Sequence, residues 1–120
     1  MAGSAATKFN ISEIDRFNDR IENVLGDPHA RPIFEKYLIS YKHHVMLKAF
    51  KLWNEASIAD NFDEDHFLDL AEEIDGFNMN PFFSIQEDDR KLSYIKQECC
   101  RILSPVHPRF VEYLHLHHSV

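Results

Sequence analysis

Apolar residues recur along this chain at steps of three and four positions, the pattern of helices that bury one face. In the first such segment we predict that Ser12 is the N-cap of a helix and that Gly26 follows its last residue. The apolar positions between them are Ile14, Phe17, Ile21, Val24 and Leu25. The segment therefore predicts a single amphipathic helix.

The centre of the chain holds several of its largest apolar side chains. A second helix is predicted to begin at Pro32 and to bury Ile33, Phe34, Tyr37 and Leu38. A third helix is predicted from His44 to Ala59. Its apolar stripe consists of Met46, Ala49, Phe50 and Trp53. Because aromatic side chains bury the most area, we expect the core to be centred on these two segments.

Two more helices are predicted on either side of an apolar loop. Asp63 predicts the N-cap of a fourth helix that ends at Gly76, and a fifth helix begins near Glu87. The loop between them, residues 77–86, carries three aromatic side chains, which are Phe77, Phe82 and Phe83. We expect these rings to be buried beneath the helices, and the alternative is an exposed contact patch.

A last short helix is predicted after the break at residues 104–108, with Phe110, Val111 and Leu114 on its apolar side. We expect this C-terminal piece to return beside the N-terminal helix. The chain shows no strand-like alternation of apolar and polar residues. The sequence therefore predicts an all-α fold, a compact helical bundle of about six to eight helices.

Length and charge narrow the functional classes. The chain has 120 residues, and we expect residues 1–10 to be a flexible leader and residues 11–117 to form one helical domain. Its net charge of −7 disfavours nucleic acid and anionic membranes as partners. No apolar run approaches the roughly 20 residues that span a bilayer. The two cysteines, Cys99 and Cys100, are adjacent and cannot close a loop, which suits a reducing cytoplasm.

The residues that usually carry chemistry do not form a recognisable site. His43 and His44 point about 100° apart on a helix, and His115 and His118 lie at the chain end. The cysteines lack Cys-x-x-Cys spacing, and three glycines cannot form a phosphate-binding loop. Paired acids such as Asp88 and Asp89 are typical of a solvated helix face. We therefore expect no metal, no cofactor and no catalytic residues, so the domain is not predicted to be an enzyme.

The central segment resembles the family of regulator of G-protein signalling (RGS) domains. The residues at the places of that family's apolar pattern are Phe34, Tyr37, Leu38, Leu47, Ala49 and Phe50. A second similarity is the pair Ile102 and Leu103 followed by Pro108, Arg109 and Phe110, and residues 24–28 resemble the family's lead-in. The resemblance covers most of residues 20–114. It implies a nine-helix-type fold that binds the switch regions of an active Gα subunit.

In that family an Asn in each of two loops, a late Asp and an Arg hold the switches in the geometry of GTP hydrolysis. Here the place of the first Asn, with the Glu before it, is taken by Val45 and Met46. Gln86 stands in for the second Asn, unless Asn78 or Asn80 does. Leu103 and Arg109 match, while the late Asp has no counterpart in residues 104–107. The resemblance therefore implies a cytoplasmic signalling module that docks a protein, reaching the inner membrane face only through that partner. The partner-binding residues it implies are Tyr41, Val45, Met46, Gln86, Leu103 and Arg109.

Three functions follow as hypotheses. The first is a divergent RGS-like protein-interaction domain that binds a Gα subunit or another signalling protein, with weak or no GTPase activation. The second is a functional GTPase-activating domain that uses Gln86 in place of Asn. The third is an unrelated helical scaffold or oligomerisation domain that makes its contact through the loop at residues 77–83.

Overall fold

The computed structural model describes residues 7–120, and in this range the chain forms seven α-helices and one short 3-10 helix, with no β-strand. The α-helices are α1 (Ile11–Asp19), α2 (Ile21–Leu25), α3 (Ala30–Ser40), α4 (His44–Ile58), α5 (Glu64–Glu72), α6 (Asp88–Leu103) and α7 (His107–His117). The 3-10 helix covers Phe83–Ile85. The all-α class and the number of helices are therefore confirmed. No helix in the described range combines the length and the apolar character that crossing a membrane requires.

The helices belong to two units. The first comprises the described residues up to Tyr37 together with Ser104–Val120, and the second is Leu38–Leu103. Residues 1–6 of the predicted leader lie outside the described range. Phe9, which the leader was also predicted to contain, is buried, and its backbone forms an isolated bridge with Ser119. The packed part of the first unit thus begins before residue 11.

The N-terminus of α1 differs from the prediction. Its N-cap is Asn10, whose Oδ1 accepts a hydrogen bond from the Glu13 backbone N–H at 2.8 Å. Glu13 Oε1 accepts in return from the Asn10 backbone N–H at 3.1 Å. This reciprocal pair is a capping box, and it satisfies two donors that a helix start leaves without partners. The prediction of Ser12 as the N-cap is wrong.

The predicted first helix is in fact two helices. Arg20 is extended, with φ of −147° and ψ of 138°, and separates α1 from α2. The side chain of Asn23 donates to the Arg16 carbonyl at 2.7 Å, and one ring nitrogen of His107 lies 2.6 Å from the Phe17 carbonyl oxygen. These contacts supply partners for carbonyls at the end of α1, which the break would otherwise leave without them.

The core of the first unit joins α1, α3 and α7. The rings of Phe34 and Phe110 lie 4.7 Å apart, and those of Tyr37 and Phe110 lie 5.4 Å apart. Helix α7 also packs against α1, so the C-terminal piece returns beside the N-terminal helix as expected. Asp27 caps the start of α3, because its Oδ1 accepts from the backbone N–H groups of His29 and Ala30 at 2.8 Å each.

In the second unit α4 packs against both α5 and α6. Helix α4 begins at the predicted residue and ends one residue before the predicted end. The buried residues of α4 are Ala49, Phe50, Leu52 and Ala56. Met46 and Trp53, predicted for the same stripe, are half-buried. Asp63 caps α5 as predicted, but α5 ends at Glu72, four residues before Gly76.

Candidate functional site

The turn between α3 and α4 carries three of the predicted partner-binding residues, and its shape is fixed by backbone hydrogen bonds. The N–H of His43 donates to the Leu38 carbonyl at 2.9 Å, and the N–H of Lys42 donates to the Ile39 carbonyl at 3.1 Å. Lys42 has a φ of 58°. This combination is a Schellman motif, with a lysine in the left-handed position that usually holds glycine. The turn is therefore a defined structure.

Apolar side chains project from this turn. Tyr41 is 57% exposed and Ile39 is 55% exposed. Val45 and Met46, in the first turn of α4, are half-buried. We call these four residues, which are Ile39, Tyr41, Val45 and Met46, the turn surface. Tyrosine and methionine are typical of protein–protein interfaces because both present apolar area without a fixed charge.

The direction of α4 relative to α5 follows from two polar contacts. Lys48 Nζ donates to the Glu73 carbonyl at 3.3 Å, which joins the first half of α4 to the end of α5. His66 Nε2 lies 2.9 Å from Glu55 Oε1, which joins the second half of α4 to the start of α5. The two helices are therefore antiparallel. The hydrogen bond to Glu55 also raises the pKa of His66 above its ordinary value.

The direction of α6 follows in the same way. Lys91 Nζ donates to Glu64 Oε1 at 2.6 Å, which joins the first turns of α6 and α5. Arg101 Nη2 donates to the Gly76 carbonyl at 2.6 Å, which joins the last turn of α6 to the chain that follows α5. Helices α5 and α6 thus run in the same direction, and α4 runs against both.

This arrangement separates the predicted partner-binding residues. The turn surface lies at the end of the second unit where α6 finishes, while Gln86 lies where α6 begins. Sixteen residues of helix span about 24 Å, so Gln86 does not join the turn surface. Leu103 lies at the same end as the turn surface but is fully buried, and it serves the core. Arg109 is exposed on α7, in the first unit.

Ile39 belongs to the turn surface but was not among the predicted residues. A signal for it existed, because Ile39 follows the inward pair Tyr37 and Leu38 and falls off their apolar face. The backbone geometry of Lys42 had no such signal, since a lysine does not predict a left-handed conformation.

Metal binding and nucleophilic chemistry depend on how the ionisable groups are arranged. Among residues 7–120 no group of three or more His, Cys, Asp or Glu side chains is arranged to hold a metal ion. Burial, with smaller contributions from Cys100 and Glu98, raises the pKa of the Cys99 thiol far above its ordinary value. A thiol held protonated is a poor nucleophile and a poor metal ligand. Cys99 is fully buried and therefore serves as a small core residue.

A cleft of about 130 Å³ lies between α4 and α5. Its lining consists of Lys48, Lys51, Leu52, Glu55, Leu70 and Glu73. Pockets that enclose drug-sized ligands usually have volumes of about 300–1,000 Å³, so this cleft is too small for such a ligand. The turn surface, which holds Tyr41, Val45 and Met46 of the predicted partner-binding residues, is the candidate site.

Comparisons of the chain with models of protein families, with curated proteins and with solved structures gave no match.

Proposed function

We propose that this chain is a divergent RGS-like interaction domain that binds a Gα subunit, or another signalling protein, with little or no acceleration of GTP hydrolysis. In this proposal the domain is not an enzyme and needs no cofactor. It acts in the cytoplasm and reaches the inner membrane face only through its partner. Neither nucleic acid nor lipid is the ligand, because the net charge of −7 opposes both.

The observation that carries the proposal is the exposure of apolar side chains on an ordered turn. Tyr41 and Ile39 are each more than half exposed, yet the Schellman motif fixes the backbone from which they project. A surface that is already ordered loses little conformational entropy on binding. The RGS resemblance assigns contact with Gα to this same turn.

The distribution of the other candidate residues supports docking without GTPase activation. A domain that accelerates GTP hydrolysis must hold several switch residues at once, because its effect comes from positioning. Gln86, the residue that would replace the second Asn of the family, lies at the opposite end of α6 from Val45 and Met46. A Gα switch region that binds the turn surface would therefore be out of reach of Gln86.

The test measures binding and catalysis separately. The immobilised full chain is presented with Gα subunits in three states, with GDP, with GDP and aluminium fluoride, and with a GTP analogue. We expect saturable binding with a preference for an active state. Single-turnover GTP hydrolysis at saturating domain is expected to show less than about a twofold change in rate, a difference of about 0.4 kcal/mol in barrier.

Two results contradict the proposal in different ways. Absence of binding in all three nucleotide states removes Gα as the partner. Strong acceleration of GTP hydrolysis that is lost in Gln86→Ala supports the second hypothesis, in which Gln86 acts in place of Asn.

A further inference from the structure

Residues 77–86 form an ordered segment that runs back along α6. The backbone N–H of Asn78 donates to Glu98 Oε2 at 2.8 Å, and the hydroxyl of Tyr94 donates to the Asn78 carbonyl. Further along, the N–H of Phe82 donates to Asn80 Oδ1 at 2.8 Å. Glu98 and Tyr94 of α6 thus hold the segment at Asn78, while the bond from Phe82 to Asn80 lies within the segment.

Phe83 anchors the end of this segment. It is buried, and its ring centroid lies 5.8 Å from that of Phe62 and 5.9 Å from that of Tyr94. The ammonium group of Lys91 lies 5.6 Å from the centre of the Phe83 ring and 5.4 Å from that of Phe62. Aromatic contacts and a cation–π interaction therefore hold the Phe83 ring in place.

The large apolar side chains on either side of this anchor face the solvent. Met79 is 40% exposed, Phe82 is 63% exposed and Ile85 is 80% exposed. The expectation that the aromatic rings of this loop would be buried is therefore met only by Phe83, since Phe77 is half-buried and Phe82 is exposed. We call Met79, Phe82 and Ile85 the strap surface. Clustered exposed apolar side chains on an ordered backbone mark interaction sites.

The strap surface is bordered by acidic side chains. Glu87, Asp88 and Asp89 begin two residues after Ile85 and are all exposed. The first turn of α5, with Glu64 and Asp65, lies at the same end of the unit, because Glu64 bonds Lys91. Lys91 is buried and forms an ion pair with Glu64, and the exposed Arg90 also belongs to this border. The net negative charge of the border therefore comes from Asp65, Glu87, Asp88 and Asp89.

We propose that the strap surface binds an amphipathic segment of another protein, whose apolar side chains cover Phe82 and Ile85 while flanking Lys or Arg residues face the acidic border. A second copy of this chain would bring one acidic border against another at a net charge of −7 each, which opposes that alternative. The strap surface lies at the opposite end of the unit from the turn surface, so this inference is independent of the proposed function.

The test uses three synthetic helical peptides as probes for the full chain in fluorescence anisotropy. The first has an amphipathic Leu/Lys pattern, the second replaces each Lys with Glu, and the third contains the residues of the first in a scrambled, non-amphipathic order. We expect the Leu/Lys peptide to bind at least about tenfold more tightly than either of the others. The scrambled peptide controls for attraction by charge alone.

The double variant Phe82→Ser/Ile85→Ser is expected to weaken binding of the Leu/Lys peptide by about tenfold or more. Ile11→Ser is the matched control, because Ile11 is 72% exposed and lies in the other unit. Binding that is equal for the Leu/Lys and scrambled peptides, or equally weakened by Ile11→Ser, overturns the proposal. So does the absence of binding at about 1 mM. A dimer in sedimentation that only Phe82→Ser/Ile85→Ser abolishes would make a second copy the occupant and would also overturn it.

Discussion

Arg101 donates to both carboxylate oxygens of Glu98, from Nε at 2.6 Å and from Nη2 at 2.7 Å. The same carboxylate accepts from the Asn78 backbone N–H, and Arg101 also donates to the Gly76 carbonyl. Two side chains of α6 thereby bind the backbone of Gly76 and Asn78, which follow α5. The Glu98 side chain is only 10% exposed and that of Arg101 is 50% exposed, so these charge-assisted bonds are shielded from water mainly on the carboxylate side.

The Glu98 contacts predict a pH-dependent contribution to stability. The hydrogen bond from Arg101 lowers the pKa of Glu98, burial opposes it by a smaller amount, and the Asn78 N–H lowers the pKa further. A lowered folded-state pKa stabilises the fold above the unfolded pKa of about 4.3, and this stabilisation is lost as the pH falls through the folded pKa. We expect Glu98→Gln to lower the free energy of unfolding by about 1–3 kcal/mol at pH 7.

Urea titrations at several pH values measure this effect. The difference between the wild-type chain and Glu98→Gln is expected to shrink as the pH falls below the unfolded pKa of about 4.3 and through the lowered pKa of folded Glu98. Glu72→Gln, at an exposed position of α5, is the control and should change stability by less than about 0.5 kcal/mol. A Glu98→Gln effect that stays constant down to the lowest pH would contradict the assigned role of the carboxylate.

Lys42 predicts a stabilising substitution. Its φ of 58° is costly for a residue with a side chain and costs glycine nothing. Lys42→Gly is therefore expected to raise the free energy of unfolding by about 0.5–1 kcal/mol, after the extra entropy of glycine in the unfolded chain is subtracted.

Lys36→Gly is the control for Lys42→Gly, because Lys36 is also an exposed lysine but lies inside α3. The same change there should lower stability by about 1 kcal/mol. Thermal unfolding of the two variants is expected to shift the melting temperature in opposite directions. Shifts of the same sign would mean that the Schellman motif does not form in solution.

The sequence predicted helices well where one periodic pattern decides the structure. Helix α4 begins at the predicted His44, because its apolar stripe is long and polar residues border it on both sides. The break at Arg20 was missed for the same reason, since Ile21, Val24 and Leu25 continue the apolar period of α1. The break is supported by the hydrogen bond from the Asn23 side chain to the Arg16 carbonyl. The spacing of apolar residues gives no sign of this contact.

The candidate site was less predictable, because it depends on how helices are oriented. Gln86 and Met46 belong together only if the turns that carry them lie at one end of the unit. The ion pair between Lys91 and Glu64 joins residues 27 positions apart and fixes the opposite arrangement. The sequence pattern contains no information about such long-range pairs. The RGS resemblance therefore indicated the turn between α3 and α4 but could not indicate its distance from Gln86.

Phe50 and Phe82 form a matched pair for testing which aromatic side chains belong to the core. Phe50 is 2% exposed and Phe82 is 63% exposed. We expect Phe50→Ala to lower the free energy of unfolding by about 3–5 kcal/mol, because it leaves a cavity between packed helices. Phe82→Ala should cost less than about 0.5 kcal/mol in the same urea titration. Similar losses for the two variants would place Phe82 in the core and remove the strap surface.

The start of α1 offers a test of the capping residue. Asn10→Ala removes the side chain that accepts from the Glu13 N–H, and we expect a loss of about 0.5–2 kcal/mol. Ser12→Ala lies two residues further on, inside the helix, where alanine is the better helix former. It should therefore be neutral or slightly stabilising. A larger loss for Ser12→Ala in chemical denaturation would restore Ser12 as the cap.

The turn surface predicts a separation of binding from stability. Tyr41→Ala and Met46→Ala are each expected to weaken binding to Gα by about tenfold, because such side chains at the centre of an interface often contribute more than about 1 kcal/mol. Since Tyr41 is 57% exposed, its removal should leave the unfolding transition nearly unchanged. Ile85→Ala is the matched control, with an exposed apolar side chain at the opposite end of the unit, and should bind as the wild type does. If Tyr41→Ala and Ile85→Ala both bind Gα with the affinity of the wild-type chain, neither side chain contributes to the interface. The turn surface would then lose its assigned role.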